Sequence, residues 1–284
     1  MNNALIKLRD GRDIGFRHYG KPHGKPVFFF HGIPGSRFQH PPDIDLLKTA
    51  DIRLITLERP GYGLSTDMPG RTLNDWPQDV LDVAQVLDIE RFAIIGISGG
   101  GPYALACAHA YPQRLSAIAL VSSLGDISGN PMDVNLTAGC AFSAAKYAPW
   151  LVRGALSLMG PMLSFYVEGI LENFLLSLPK ADKEVLNRPD IRSMMMADLS
   201  ESIRGGANGY AQDIEILSQP WGFSPKDIKV PVLLWHGLED SIVPPQMARD
   251  LIKTFPNCQG HMIDNGGHFI VFNHTKEILK SLMQ

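Results

Sequence analysis

The segment Phe92-Ala93-Ile94-Ile95-Gly96-Ile97-Ser98-Gly99-Gly100-Gly101-Pro102-Tyr103-Ala104-Leu105-Ala106 constrains the fold of this chain more than any other. Phe92–Ile95 is an uninterrupted apolar run of strand length, as expected of a strand buried on both faces. Tyr103–Tyr111 is alanine-rich and reads as helix, with Pro102 in what would be its first turn, where a missing N–H costs little. The chain must therefore turn from strand to helix within a few residues, which strains the corner residue and crowds neighbouring backbones. Only small side chains fit beside such a corner, and Gly96 and Gly100 stand two residues either side of Ser98. The pattern is that of a nucleophile elbow, which presents a serine hydroxyl at the carboxyl end of a sheet.

Two blander readings compete: a glycine-rich turn with an incidental serine, and a phosphate-binding loop. Against the second, no G-x-x-x-x-G-K-[ST] lysine follows, and Ser98 interrupts the G-x-G-x-x-G pattern at its second glycine.

At 284 residues the chain suffices for one large domain or for a core with an inserted subdomain. A net charge of −3 without a Lys/Arg-rich run gives no footprint for nucleic acid or an anionic membrane, so a small-molecule partner is expected. Three widely spaced cysteines, Cys107, Cys140 and Cys258, argue against a disulfide scaffold or a zinc site and fit a reducing compartment. Met1–Tyr19 carries charges at Lys7, Arg9, Asp10, Arg12, Asp13 and Arg17 and lacks the apolar core of a signal peptide, so a cytoplasmic location is expected. Oligomeric state is left open.

Ala4–Leu8 and Ile14–Tyr19 flank the turn signal Asp10-Gly11-Arg12 and predict an opening hairpin. Further strand-length runs follow at Val27–Phe30, Arg53–Leu57, Phe92–Ile95, Ala117–Ser122, Val230–Trp235 and, more weakly, Gly260–Ile263. Helical spacing separates many of them: a helix capped by Thr72, another over Gln246–Phe255 after Pro244-Pro245, and a last over Thr275–Met283. This alternation predicts a mostly parallel sheet covered on both faces. It fails between Gly125 and Gly222, where strands are missing and Val134–Leu178 holds only four charges, Lys146, Arg153, Glu168 and Glu172. A membrane span is a poor reading, because Gly154–Val167 is uncharged for only 14 residues and contains Pro161. The expected organisation is a core of residues 1–124 and 223–284 with a helical cap over 125–222, in which Met194-Met195-Met196 could form an adaptable lining.

A serine hydroxyl needs a base, and the base an orienting acid. His268 lies in the small-residue loop Asn265-Gly266-Gly267-His268-Phe269 after the last strand candidate, and Asp240 follows the Val230–Trp235 strand. The order Ser98, Asp240, His268 matches three groups projecting from carboxyl ends of strands in such a sheet. Among competing histidines, His31 and His236 precede glycines at strand ends, where backbone hydrogen bonding is their expected work. Asp126, after the Ala117–Ser122 strand, is the rival acid; Glu239 should point elsewhere, and Asp264 lies too close in sequence to His268. An oxyanion needs two donors. Gly99 N–H at the elbow is one, and Ile33 N–H in His31-Gly32-Ile33-Pro34-Gly35-Ser36 is the expected second, since Pro34 has no N–H.

With these residues in view the chain resembles the α/β-hydrolase fold superfamily. The likeness runs through His31–Ser36, Arg59-Pro60-Gly61-Tyr62-Gly63-Leu64-Ser65, the elbow, His236–Pro244 and Gly267-His268, and within the superfamily it is similar to cap-bearing, cofactor-free serine hydrolases, carboxylesterases among them. The resemblance implies a mostly parallel eight-stranded sheet with helices on both faces and a cap inserted after the sixth strand. It also implies a Ser98/Asp240/His268 triad, an oxyanion hole at Ile33 and Gly99, and no cofactor or metal. Glu58 stands where relatives commonly carry aspartate. The elbow lacks the tryptophan of the Gly-Gly-Ser-Trp-Gly found in proline iminopeptidases, and a serine at 98 counts against dehalogenases and epoxide hydrolases, whose nucleophile is aspartate. The expected function is hydrolysis of a small or medium apolar carboxylic ester through an acyl-enzyme. The alternatives are an amide, lactone or carbon–carbon bond cleaved by the same triad, or a ligand receptor on the same fold.

Overall fold

A computed structural model describes residues 4–163 and 165–283. Residues 1–3, 164 and 284 lie outside that description, and with them the start of the expected core segment and one position of the uncharged Gly154–Val167 run. The chain opens with β1 (Ala4–Lys7) and β2 (Asp13–Gly20), an antiparallel hairpin with Leu5 opposite Gly15. The sheet continues with β3 (Lys25–Phe30), β4 (Ile52–Leu57), β5 (Phe92–Ile97), β6 (Leu115–Val121), β7 (Val232–Gly237) and β8 (Cys258–Ile263). The eight strands lie in the order β1-β2-β4-β3-β5-β6-β7-β8, and every pairing from β4 to β8 is parallel.

Both faces are covered because the central strands carry unbroken apolar runs, Val27–Phe30 in β3 and Phe92–Ile95 in β5, that point alternately to the two sides. Phe28, Phe30, Phe92 and Ile94 enter one buried cluster, and Val27, Phe29, Ala93 and Ile95 the other. Helices α2 (Trp76–Val86), α3 (Gly100–Ala110) and α10 (Pro245–Thr254) supply the first cluster; α1 (Ile44–Thr49) and α11 (Thr275–Leu282) supply the second. Two boundaries differ from those read in the sequence. The seventh strand starts at Val232 because Pro231 has no N–H for the ladder, although its carbonyl accepts from Ile118 N–H (3.0 Å). The Thr72-capped segment first makes a tight turn over Leu73–Asp75, with Thr72 N–H donating to the Asp75 carboxylate (2.6 Å), and α2 begins at Trp76.

The insertion after β6 consists of α4 (Leu136–Tyr147), α5 (Pro149–Leu163), α6 (Val167–Ser177), α7 (Lys180–Leu186), α8 (Pro189–Ser202) and α9 (Asn208–Leu217). It straddles the sheet: Phe142, Ile214 and Leu217 join the first cluster, whereas Leu171, Leu186, Ile191 and Met195 join the second. Met194 and Met196 flank Met195 and pack against the second cluster from partly buried positions. Among the described residues no helix is long and apolar enough to cross a membrane.

Candidate active site

Ser98 directly follows β5, and its backbone is left-handed (φ +50°). For a non-glycine residue this is uncommon and strained, and it persists because the surroundings over-determine it. Ser98 N–H donates to Val121 O (3.0 Å), while Ser98 O accepts from Gly101 N–H (3.0 Å) and Leu124 N–H (3.1 Å). The flanking glycines are required by close approach. A Cβ at Gly96 would stand 2.7 Å from Gly100 O, and one at Gly100 would stand 2.6 Å from His31 O.

The loop after β3 runs alongside this corner. A Cβ on Gly32 would meet Ser98 Cβ at 3.5 Å, and one on Gly99 would meet Ile33 Cγ1 at 2.7 Å. Among the described residues neither Ile33 N–H nor Gly99 N–H has a hydrogen-bond acceptor.

Asp240 and His268 follow β7 and β8, so both lie at the sheet edge on which β5 ends. His268 Nδ1 is 2.8 Å from Asp240 Oδ2. The other oxygen, Oδ1, accepts from Ile242 N–H and Val243 N–H, both at 2.9 Å. Burial disfavours the His268 imidazolium, but the charge and hydrogen bond of Asp240 outweigh it, helped by the charge of Asp182, and the His268 pKa lies above the ordinary histidine value. Burial likewise works against the Asp240 carboxylate, and the pull of His268 holds its pKa below the usual range. Among the described residues no hydrogen bond joins Ser98 Oγ to His268. Serine–histidine contacts are often long in unliganded sites and tighten with substrate.

The rival residues are occupied elsewhere. Asp126 is exposed and accepts from Ser128 N–H (2.9 Å), and Glu239 and Asp264 are exposed. His31 faces Gly32 O through Nδ1 (2.8 Å) and accepts from Arg59 N–H at Nε2 (3.4 Å). His236 Nε2 lies 2.9 Å from Val243 O and 3.3 Å from Asp240 Oδ2, placing a second imidazole against the carboxylate. Glu58 spans further than an aspartate would: it takes Arg37 Nη1 on one oxygen and Leu64 N–H (2.8 Å) on the other, and burial pushes its pKa up to about 6.

Three aspartates that the sequence reading did not single out connect the cap to these loops. Asp182 on α7 accepts from His268 N–H (3.0 Å) and Phe269 N–H (2.9 Å). Asp198 on α8 accepts from both the N–H and the hydroxyl of Ser36, each at 2.7 Å. Asp213 on α9 accepts from Arg59 Nε (2.8 Å), Tyr62 OH (2.9 Å), Arg71 Nη2 (2.6 Å) and Tyr103 OH (2.6 Å). All three are buried, Asp198 and Asp213 completely. Each also sits on its helix's buried stripe, Asp198 between Met195 and Ser202, for example, and a charged residue on such a stripe is the signal that could have found them. Among the described residues no group of three or more His, Cys, Asp or Glu could hold a metal ion.

A sheet of this topology with a serine elbow and an inserted helical cap defines an α/β hydrolase. A family model described as alpha/beta hydrolase fold matches residues 25–275, and the chain belongs to that family. Among curated relatives, it is 28% identical over 249 residues to a non-heme chloroperoxidase of Streptomyces lividans, covering 85% of this chain and 83% of that protein. It is 27% identical over 296 residues to a 2-hydroxy-6-oxononadienedioate/2-hydroxy-6-oxononatrienedioate hydrolase of Cupriavidus pinatubonensis, covering 96% and 91%. Among solved structures, a thermophilic esterase from Thermogutta terrifontis superposes with a TM-score of 0.71 at 20% identity, covering 100% of this chain and 97% of that one, a likeness of fold.

Proposed function

We propose that this α/β hydrolase is a serine hydrolase that cleaves a small or medium, apolar carboxylic ester through an acyl-enzyme intermediate, with Ser98 as nucleophile, His268 as base and Asp240 as the orienting acid. The observation that carries the reading is the 2.8 Å His268–Asp240 pair at the same sheet edge as a serine held at φ +50°. In the first half-reaction Ser98 Oγ bonds to the acyl carbon while its proton passes to His268 Nε2. The carbonyl oxygen becomes an oxyanion facing the N–H groups of Ile33 and Gly99. The ester C–O bond then breaks, and His268 returns the proton to the departing alcohol. Water repeats the sequence on the acyl-enzyme, releasing the carboxylic acid and restoring Ser98.

The apolar preference is supported by the helices inserted between β6 and β7, α4 to α9, since the chain there is poor in charge over Val134–Leu178. An ester is supported by the Thermogutta terrifontis neighbour, which is named as an esterase. The Cupriavidus pinatubonensis relative, named for a dienedioate substrate, favours a second reading in which the same triad cleaves an activated carbon–carbon bond. A cytoplasmic setting belongs to the proposal and is supported by the free cysteines, Cys140 being exposed.

The test is labelling with a fluorophosphonate, peptide mapping of the label, and a panel of p-nitrophenyl esters from acetate to octanoate beside lactones, anilides and a dienedioate. Label on Ser98 with turnover of the esters is expected. Turnover confined to another bond type overturns the ester preference, and tight ligand binding without label or turnover points to a receptor.

A further inference from the structure

We propose that Arg59 and its counter-ion Asp213 are positioning residues for the oxyanion site, orienting and polarising the Gly32–Ile33 peptide group, whose N–H is one of the two left to receive the developing charge. This inference rests on the serine-hydrolase reading and adds to it a pair of residues that touch no substrate.

The Arg59 guanidinium grips two consecutive carbonyls, with Nη1 donating to His31 O and Nη2 to Gly32 O, each at 2.8 Å. Each of these oxygens belongs to a planar trans peptide group that also contains the next residue's N–H, so fixing the oxygen from one side fixes the direction of the N–H on the other. The two groups then differ. In the His31–Gly32 group the N–H of Gly32 donates to Gln39 Oε1 (2.8 Å), so both ends are tied. In the Gly32–Ile33 group the carbonyl is tied to Arg59, and the N–H of Ile33 has no acceptor among the described residues. That free end lies beside the elbow, where the Gly99 backbone and the Ile33 side chain come close and Gly32 approaches Ser98 Cβ. A cation on the carbonyl also draws electron density from the amide, making its N–H a stronger donor through hydrogen-bond cooperativity.

The device needs Asp213. Arg59 is buried among backbone and aromatic groups, with its guanidinium carbon 4.6 Å from the centre of the Tyr103 ring. A cation there requires a paired carboxylate to offset its desolvation. Asp213 provides it from the cap, lying 2.7 Å from Nη2 and 2.8 Å from Nε, and Tyr62 and Tyr103 hold the carboxylate in place. The oxyanion loop of the core is thus completed by a residue 154 positions away from Arg59.

Arg59→Lys is the direct test, because an ammonium keeps the charge and cannot fork onto two carbonyls and a carboxylate at once. In a variant with wild-type circular dichroism, kcat on a p-nitrophenyl ester should fall about 10- to 100-fold, less than the roughly 100- to 1,000-fold typical of deleting a donor outright. KM should stay within about threefold, and affinity for phenylboronic acid, whose adduct with Ser98 is tetrahedral, should fall in step with kcat. Asp213→Asn keeps the side-chain volume and should act in the same direction, which carries the test if Arg59→Lys does not fold. In the unaltered protein, labelled with 15N, the Ile33 amide proton should move downfield in the boronate adduct while that of Gly32 stays. A folded Arg59→Lys protein with kcat within twofold of the parent, a loss confined to KM, or an unmoved Ile33 amide overturns the proposal. If the unaltered protein takes no fluorophosphonate on Ser98, the hydrolase reading itself has failed, and this is seen before any variant is made.

Discussion

The Nδ1 of His268 and the Oδ2 of Asp240 stand 2.8 Å apart, on loops that follow adjacent parallel strands. That contact leaves Nε2 as the only ring nitrogen able to take a proton from a serine, provided Nδ1 carries the hydrogen. In Asp240→Asn the amide no longer selects this tautomer, and turnover should fall about 10⁴-fold. Asp126→Asn should stay within about twofold of the parent, because Asp126 is exposed and, among the described residues, serves only Ser128 N–H. Steady-state kcat on one ester for both variants decides it; the reverse ranking would reassign the acid.

The pH profile follows from the same pair. His268 must be neutral to act as base, and its pKa in the folded protein is raised by Asp240 and Asp182 against the opposing effect of burial. The acid limb of kcat/KM should therefore have its midpoint above the ordinary histidine value of about 6.5. The sign for stability is opposite to that for activity: the ionised His268 stabilises the fold at low pH, and that contribution disappears as pH rises through its raised pKa. A limb centred below about 6.5 would contradict the charge balance described for the site.

Asp182 should matter for both stability and rate. Asp182→Ala leaves the buried N–H groups of His268 and Phe269 without their acceptor, at about 1–3 kcal/mol for each group left unpaired. Chemical denaturation should show a loss of about 2–6 kcal/mol, and the acid limb of kcat/KM should move to lower pH as a carboxylate near His268 is removed. Unchanged stability would mean that water replaces the carboxylate without cost.

Asp198 gives a prediction free of catalysis. Burial pushes its carboxyl up to about 7, the hydrogen bonds from Ser36 offsetting only part of that, and its Oδ2 is buried without a partner among the described residues. Because the folded pKa exceeds the unfolded one, Asp198 favours the fold most at low pH, and this contribution drains away as pH rises from about 4 through about 7. Asp198→Asn, which resembles the protonated acid and does not titrate, should melt roughly 2–4 °C or more above the parent at pH 8, with the gap closing toward pH 5. Calorimetry across that range checks it; a variant that melts lower at pH 8 would show that Asp198 is buried as a stabilised carboxylate.

Much of the core was legible in the sequence because strands buried on both faces, such as β3 and β5, are written as unbroken apolar runs. The weak signal at β8 has a physical cause: it is the edge strand, and none of its residues is fully buried. Helix α1 escaped notice because it has six residues, of which only Leu47 is buried, too few to display a period. The elbow could be read because its constraints are local, glycines and serine within five residues. The partners of Asp182, Asp198 and Asp213 lie 86 to 162 positions away, and a sequence shows a charge on an apolar stripe without showing what neutralises it.

The attachment of these three aspartates bears on how such a protein diversifies. A roof grafted from a relative would bring new pocket walls, yet it would also withdraw the three carboxyl groups to which the floor is tied, stranding Arg59 and Arg71 in a dry interior and releasing the segments that carry Ser36 and His268. New specificity in this lineage is therefore easier to reach by exchanging individual side chains between those anchors than by exchanging the whole lid.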